Sequence, residues 1–318
     1  MEWHSGYPTS TLFDAVPPGG EFVSHIVFHE QDREVQLQWY ATAAEVNAVG
    51  SGWSQNPSTK RIYLRHENRD FTKTAELGRV EIMYERPADH LIYGAKLYLE
   101  GIAIRGDNQL SVIPQNGIRP IVYAKDCRLQ YLGYHNLQVK GGEIYLQNCL
   151  TERSLNGDGL NYNDDDAGRS SEVVEIDCIG RLNGVIQYRK FTGVRNCQGS
   201  SGHGSTRVCR INGVYEGNYG QNIADTGHGS KTWMVGSKLG NASSVLSPQP
   251  TPARFYANLW TEGDAWLDHV QAVGAMSPYG LWIENGSARL YRCPLSGTAA
   301  AIGGRVKPTE YNPAVPMQ

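Results

Sequence analysis

Four cysteines in the middle of the chain each follow an Asp or Asn: Asp126-Cys127, Asn148-Cys149, Asp177-Cys178 and Asn196-Cys197, at intervals of 22, 29 and 19 residues. Each pair closes a short alternating run that reads as a strand: 121–124, 143–146, 172–176 and 191–194. Weaker copies extend the pattern upstream to 96–102 and downstream to 265–270 and 289–293. A recurrence near 22 residues, built of short strands divided by Gly and Asn turns, predicts a solenoid whose coils stack on one another. Three short strands and three turns need about that many residues when strands average about 5–6. The expected fold is all-β, a parallel β-helix, with Cys as a small inward hydrophobe stacking on its equivalent in the next coil. A β-sandwich with accidental Cys spacing is the competing fold.

Composition agrees with a turn-rich β chain: 36 Gly in 318 residues, 19% charged residues and a net charge of -3. That near-neutral balance excludes a dedicated nucleic-acid binder, which would carry a basic stripe. No apolar run is long enough for a membrane span, so no membrane insertion is expected. The first residues lack the basic and apolar regions of a signal peptide. Six Cys in a chain this long do not make a disulfide framework, and with no CxxC pair a thiolate zinc site is not expected.

Residues 1–90 do not follow the period and are expected to form an N-terminal cap or small β domain, with one short helix near 42–47 capped by Thr42 and Glu45. A cap would cover the unpaired strand edges of a solenoid end. The β-helix is expected over 91–305 and a C-terminal tail over 306–318. The Pro-rich stretch 246–252 is expected to be an extended loop between coils.

The phrases 94–100, Asn156-Gly157-Asp158-Gly159-Leu160-Asn161-Tyr162 and Asn183-Gly184-Val185 resemble the right-handed, pectate-lyase-like β-helix proteins, among them pectin-degrading enzymes and phage tailspike depolymerases. The resemblance covers about 90–305 and its motifs are fold-level. It implies a right-handed coil, a polysaccharide substrate, a homotrimer with the loop near Pro250 as a contact, and an extracellular or virion-associated setting.

The densest polar cluster is 156–166. Alternation through Leu160 and Tyr162 predicts a strand with Asn161 and Asn163 on its opposite face. Glycoside hydrolysis uses paired carboxyl groups, so Asp158, Asp164 and Asp165 are the candidate acid and base. The same oxygens also suit a loose calcium site, although an EF-hand fails because Asp166 stands where Gly is needed; no cofactor is required by the hydrolytic reading. Two Gly-His-Gly copies place His203 and His228 25 residues apart, near one coil, as acid–base candidates. Asn161, Tyr162, Arg207, Asp225, Lys231 and Trp233 are the candidate substrate contacts, with Arg207 and Lys231 holding an acidic sugar and the aromatics Tyr162, Tyr188, Tyr215, Tyr219 and Trp233, and farther on Trp260, Trp266 and Trp282, stacking on sugar rings. The order of motifs is similar to that of polygalacturonases, but Asn212 replaces that family's substrate-binding Lys and the first two motifs are compressed. The expected function is polysaccharide depolymerisation, by hydrolysis on a face lined by 156–166, 200–210 and 225–233. A lyase with Arg181, Arg207, Arg210 or Lys231 as base, and a non-catalytic glycan-binding or structural β-helix, are the alternatives.

Overall fold

The structure, a computed structural model, describes all residues except 1–3, 6–12, 18–20, 32, 68, 72, 78, 86–89, 107, 185–186, 189–190, 193–196, 243–256, 274–276, 298–299 and 311–318. The chain divides into two compact units, one of 1–88 with 106–108 and 187–192, the other of the remaining residues.

The larger unit is a parallel β-helix. Each full coil contributes a strand to each of three sheets in turn, as in Leu110–Ile113, Ile121–Lys125 and Arg128–Gln130. The first and second sheets have nine strands each and the third has seven, all in coil order. Register is held residue for residue, so Val122, Ile144, Val173, Val208, Thr232 and Ala265 form one inward column of the second sheet. The second sheet runs on to Thr309–Glu310, which pairs with Ala288–Tyr291, so part of the expected tail belongs to the solenoid.

The Asp and Asn of the repeat are explained by backbone sterics. Gly101, Asp126, Asn148, Asp177, Asn212, Gly236, His269 and Arg292 each form a one-residue corner between the second and third sheets, with φ between 48° and 64°. Asp and Asn tolerate this left-handed conformation better than most L residues. The next residue turns inward, and Cys127, Cys149 and Cys178 fill that column, all buried. Asn196-Cys197 is not the fourth copy: Cys197 lies just before the first-sheet strand Ser200–His203, and the equivalent corner is Asn212-Gly213. A Cβ at Gly213 would lie 2.6 Å from the Tyr215 hydroxyl, so the column loses its thiol where Tyr215 needs the room. Asp177→Val is expected to cost about 1–2 kcal/mol while Asp177→Gly leaves the urea midpoint almost unchanged. Equal midpoints for the two variants would remove the conformational explanation.

Asparagine also builds the turn from the third sheet to the first. The side-chain amides of Asn136, Asn183, Asn218, Asn222 and Asn258 donate one to the next at 3.1, 2.9, 2.8 and 2.8 Å, all fully buried. Such a chain satisfies buried polar groups that burial alone would penalise.

The N-terminal unit holds a four-stranded antiparallel sheet and a three-stranded one, around Phe28, Trp53, Ile62, Leu64 and Phe71. Its helix spans Ala43–Val49 with the Thr42–Glu45 capping box, as the sequence indicates, and a second short helix spans Thr74–Leu77. Strands cover Glu34–Gln36 and Ile62–His66. The expected strand at 191–194 is described at Phe191–Thr192, which pairs antiparallel with Gln187–Tyr188. The Pro-rich stretch 246–252, with its proposed contact near Pro250, lies outside the described residues.

Candidate functional site

The first sheet turns alternate residues outward, and register sets the columns. Gln138, Asn161, Ser201, Ala224, Trp260 and Trp282 follow one another in one column, and Lys140, Asn163, His203 and Thr226 in the next. Asn161 and Asn163 thus face away from Leu160 and Tyr162, as alternation predicts, but Asn161 is 3% exposed and its amide is spent on Gln138, Asp158 and Ser201, so the expected substrate contact at Asn161 is corrected to a positioning role.

Asp158 sits at the edge of this face, 3% exposed. Its Oδ2 accepts from Asn161 Nδ2 at 2.8 Å and Ser201 Oγ at 2.6 Å, and its Oδ1 from the Gln198 backbone N–H at 2.8 Å. Two imidazoles flank it. His135 Nδ1 lies 3.6 Å from Oδ2 and accepts the Asp158 backbone N–H at 2.9 Å; His203 Nε2 lies 4.0 Å from Oδ2. Burial pushes the Asp158 carboxyl up, but His203, His135 and Ser201 outweigh it and hold the group below its ordinary value. Burial pushes the His203 imidazole down, but Asp158, then Asp225 and Glu262, outweigh it and raise it above the ordinary histidine value. The two shifts favour the charged form of each group, a carboxylate beside an imidazolium, with about a third of the His203 side chain open to solvent. His203 Nδ1 lies 2.7 Å from Thr226 Oγ1, which fixes the ring.

The glycines around His203 serve packing. A Cβ at Gly202 would lie 2.5 Å from Thr206 Oγ1 and 2.8 Å from Asp225 Oδ1. Gly204 has φ 83° and lies against the Asp164 carboxylate. Asp164 Oδ2 accepts from the Ser205 N–H at 2.8 Å, whereas its Oδ1 is buried without a hydrogen-bond partner among the described residues.

The other candidates separate. Asp165 accepts from the N–H groups of Ala167 (3.0 Å) and Arg169 (2.8 Å) and from Arg169 Nε (2.6 Å), so it is tied into its own loop. Asp166 is exposed, as is His228, which lies two residues beyond the register partner of His203, Thr226. Arg207, Lys231 and Trp233 belong to the second sheet, so the face expected from 156–166, 200–210 and 225–233 is two faces. Arg207 lies 3.5 Å from Glu172 in an exposed charge ladder with Lys231 and Asp264 beyond it. Trp233 stacks on Trp266 with centroids 5.0 Å apart and planes 7° apart. Stacking along the sheet hides one face of the Trp233 ring, so it is a ladder residue before it is a sugar platform. Tyr123 and Tyr145 stack in the same way farther up the same column.

Tyr162 and Asp225 are corrected outright: both are fully buried inside the solenoid and cannot touch a polymer on its surface. They belong to a polar network at the core. Arg210 grips Asp225 with two hydrogen bonds of 2.7 and 2.9 Å, and its Nε lies 3.5 Å from Glu175 Oε1. Glu175 accepts from Tyr162 (3.1 Å), Ser200 (2.6 Å) and Tyr215 (2.5 Å), and Asp225 accepts from Thr232 Oγ1 at 2.6 Å. Burial pushes both tyrosine hydroxyls well above their ordinary value, with the Glu175 charge adding to it. Of the lyase candidates, Arg210 is thus buried, and Arg181 is held by Glu152 at 2.6 Å.

No protein-family model matches the chain, and no curated protein sequence is significantly similar to it. Residues that sequence reasoning passed over at this site are His135, Ser201, Lys140 and Thr226; their neighbourhood depends on register across loops of unequal length. Trp282 is half-buried in the same column, with Nε1 donating to Glu284 Oε2 at 2.8 Å. Among the described residues no carboxylate of 158–166 joins a group of three metal-competent side chains; the group that forms is Glu30, His66 and Glu67.

Proposed function

We propose that the protein binds and depolymerises a polysaccharide along the outer face of the first sheet. The observation that carries this reading is the Asp158–His203 pair, a poised proton donor set among amide and hydroxyl side chains, with the half-buried Trp282 indole farther down the same face, while Trp260 of that column is buried. An extended face of hydrogen-bonding groups suits a polymer better than a small molecule, whose sites are enclosing. In this assignment His203 protonates the leaving glycosidic oxygen while Asp158 keeps the imidazole charged and oriented. Asp164, whose Oδ1 has no hydrogen-bond partner among the described residues, is the base that activates water. Lys140, in register with Asn163, takes the part first given to Arg207 and Lys231 and holds an acidic sugar. The stacked coils also support the likeness to pectate-lyase-like proteins and tailspike depolymerases, and with it the right hand that parallel crossovers favour, an extracellular or virion-associated setting and a homotrimer.

A non-catalytic glycan-binding role is favoured by one observation: Asp158 and Asp165 are already engaged by protein donors. A panel of acidic bacterial and plant polysaccharides separates these readings when reducing ends and ultraviolet-absorbing unsaturated products are measured together. Hydrolysis yields reducing ends without absorbance, a lyase yields both, and a binding module retains the polymer and yields neither. An Asp164→Ala, His203→Ala double variant that depolymerises as fast as wild type overturns the assignment of the site.

A further inference from the structure

We propose that Glu30, His66 and Glu67 form a binding site for a first-row divalent metal ion in the N-terminal unit. Glu30 follows the strand Phe22–His29 of the three-stranded sheet, and His66 ends the strand Ile62–His66 of the four-stranded sheet. One ligand atom from each of the three side chains lies within 4.8 Å of the others. His66 is 4% exposed, and its Nε2 is buried without a hydrogen-bond partner among the described residues, 3.7 Å from Glu30 Oε1. That separation is what two bonds of about 2.1 Å span at an angle a little wider than tetrahedral. The rest of the ring is fixed: Nδ1 lies 3.1 Å from Ser51 Oγ, and the ring packs on Phe28 with centroids 4.7 Å apart. In the tautomer that donates Nδ1–H to Ser51, the Nε2 lone pair of His66 faces two carboxylates, an arrangement that a cation resolves. Arg33 Nε holds Glu30 Oε2 at 2.5 Å and leaves Oε1 to face the histidine.

One imidazole nitrogen with two carboxylates suits Zn²⁺, Mn²⁺ or Fe²⁺, whereas Ca²⁺ and Mg²⁺ prefer all-oxygen sites. Arg33, Arg69 and Arg79 border the cleft beside Glu30 and weaken the attraction for a cation, so the affinity falls below that of a closed structural zinc site. An ion here would clip together the ends of strands from two different sheets of this unit.

The test is calorimetric titration of the chelator-treated full chain with Zn²⁺, and with Ca²⁺ in parallel. The expected result is one equivalent of Zn²⁺ bound, no comparable Ca²⁺ binding, and a rise in Tm on adding Zn²⁺. The Glu67 side chain is exposed, so Glu67→Gln is expected to fold with unchanged metal-free Tm and to bind Zn²⁺ at least tenfold more weakly; His66→Gln is expected to abolish binding. Absence of one-equivalent binding, Zn²⁺ binding by Glu67→Gln as tight as wild type, or Ca²⁺ binding as tight as Zn²⁺ would each overturn the proposal.

Discussion

Arg210→Met is expected to destabilise the β-helix by about 3–5 kcal/mol, because it leaves buried carboxylates without their cation. Arg210, Glu175 and Asp225 are all fully buried, and the guanidinium is the positive member of the group. Burial pulls the Arg210 guanidinium down, but Asp225 and then Glu175 outweigh it and keep it charged at any working pH. Adding Glu175→Gln and Asp225→Asn to Arg210→Met removes the stranded charges and should recover much of the loss, since a neutral replacement of a buried ion group is often tolerated. Urea denaturation of the single and triple variants decides the matter. A single variant as stable as wild type would mean that the network contributes little.

The largest effect on activity is expected at His203. His203→Gln removes the proton donor while keeping a hydrogen-bonding side chain, and depolymerisation should fall about 10²–10⁴-fold. Glycan affinity should change far less, which separates a chemical role from a binding one. The pH dependence follows from the two shifts. His203 is raised, so activity that needs its proton holds through the ordinary histidine range and falls as pH climbs through the raised value. In Asp158→Asn the supporting carboxylate is gone, and the falling limb should move to lower pH. The pair also carries a stability signature. The His203 contribution is complete below the unfolded histidine value and disappears as pH rises through the folded one. The Asp158 contribution is present above the unfolded aspartate value and disappears as pH falls through its lowered folded value. An alkaline limb that stays put in Asp158→Asn would detach the aspartate from the histidine.

The repeat was legible because each coil needs a residue that accepts left-handed φ followed by one that fits the interior. Asp126-Cys127, Asn148-Cys149 and Asp177-Cys178 satisfy both needs in consecutive residues. Asn196-Cys197 has the same two letters without the same place, since a dipeptide does not carry its register. The capping box at Thr42 and Glu45 and the outward Asn161 were legible for the same reason: both are set within a few residues. The inward turn of Tyr162 follows from that alternation too, and it contradicts a substrate contact for Tyr162.

Glu175 and Arg210 left a fainter trace. They occupy the inward column that elsewhere holds Ala124, Leu146, Met234 and Leu267, so two charges interrupt an otherwise apolar position. Asp225 likewise interrupts an inward column that elsewhere holds Val112, Val139, Tyr162 and Ile283, but its pairing with Arg210, 15 residues away on another sheet, left no trace.

A stack of short parallel strands is written into the chain locally, since corner sterics and alternation act between neighbouring residues. Which polar residues share a face is settled only when the coils pack. Asp158 meets Ser201 across 43 residues, while Asp164 and Asp165, adjacent in the chain, turn to Ser205 and Arg169. The reason is that coils of different length are brought into strict register by their backbone hydrogen bonds, and that register sets the columns from which a site is built.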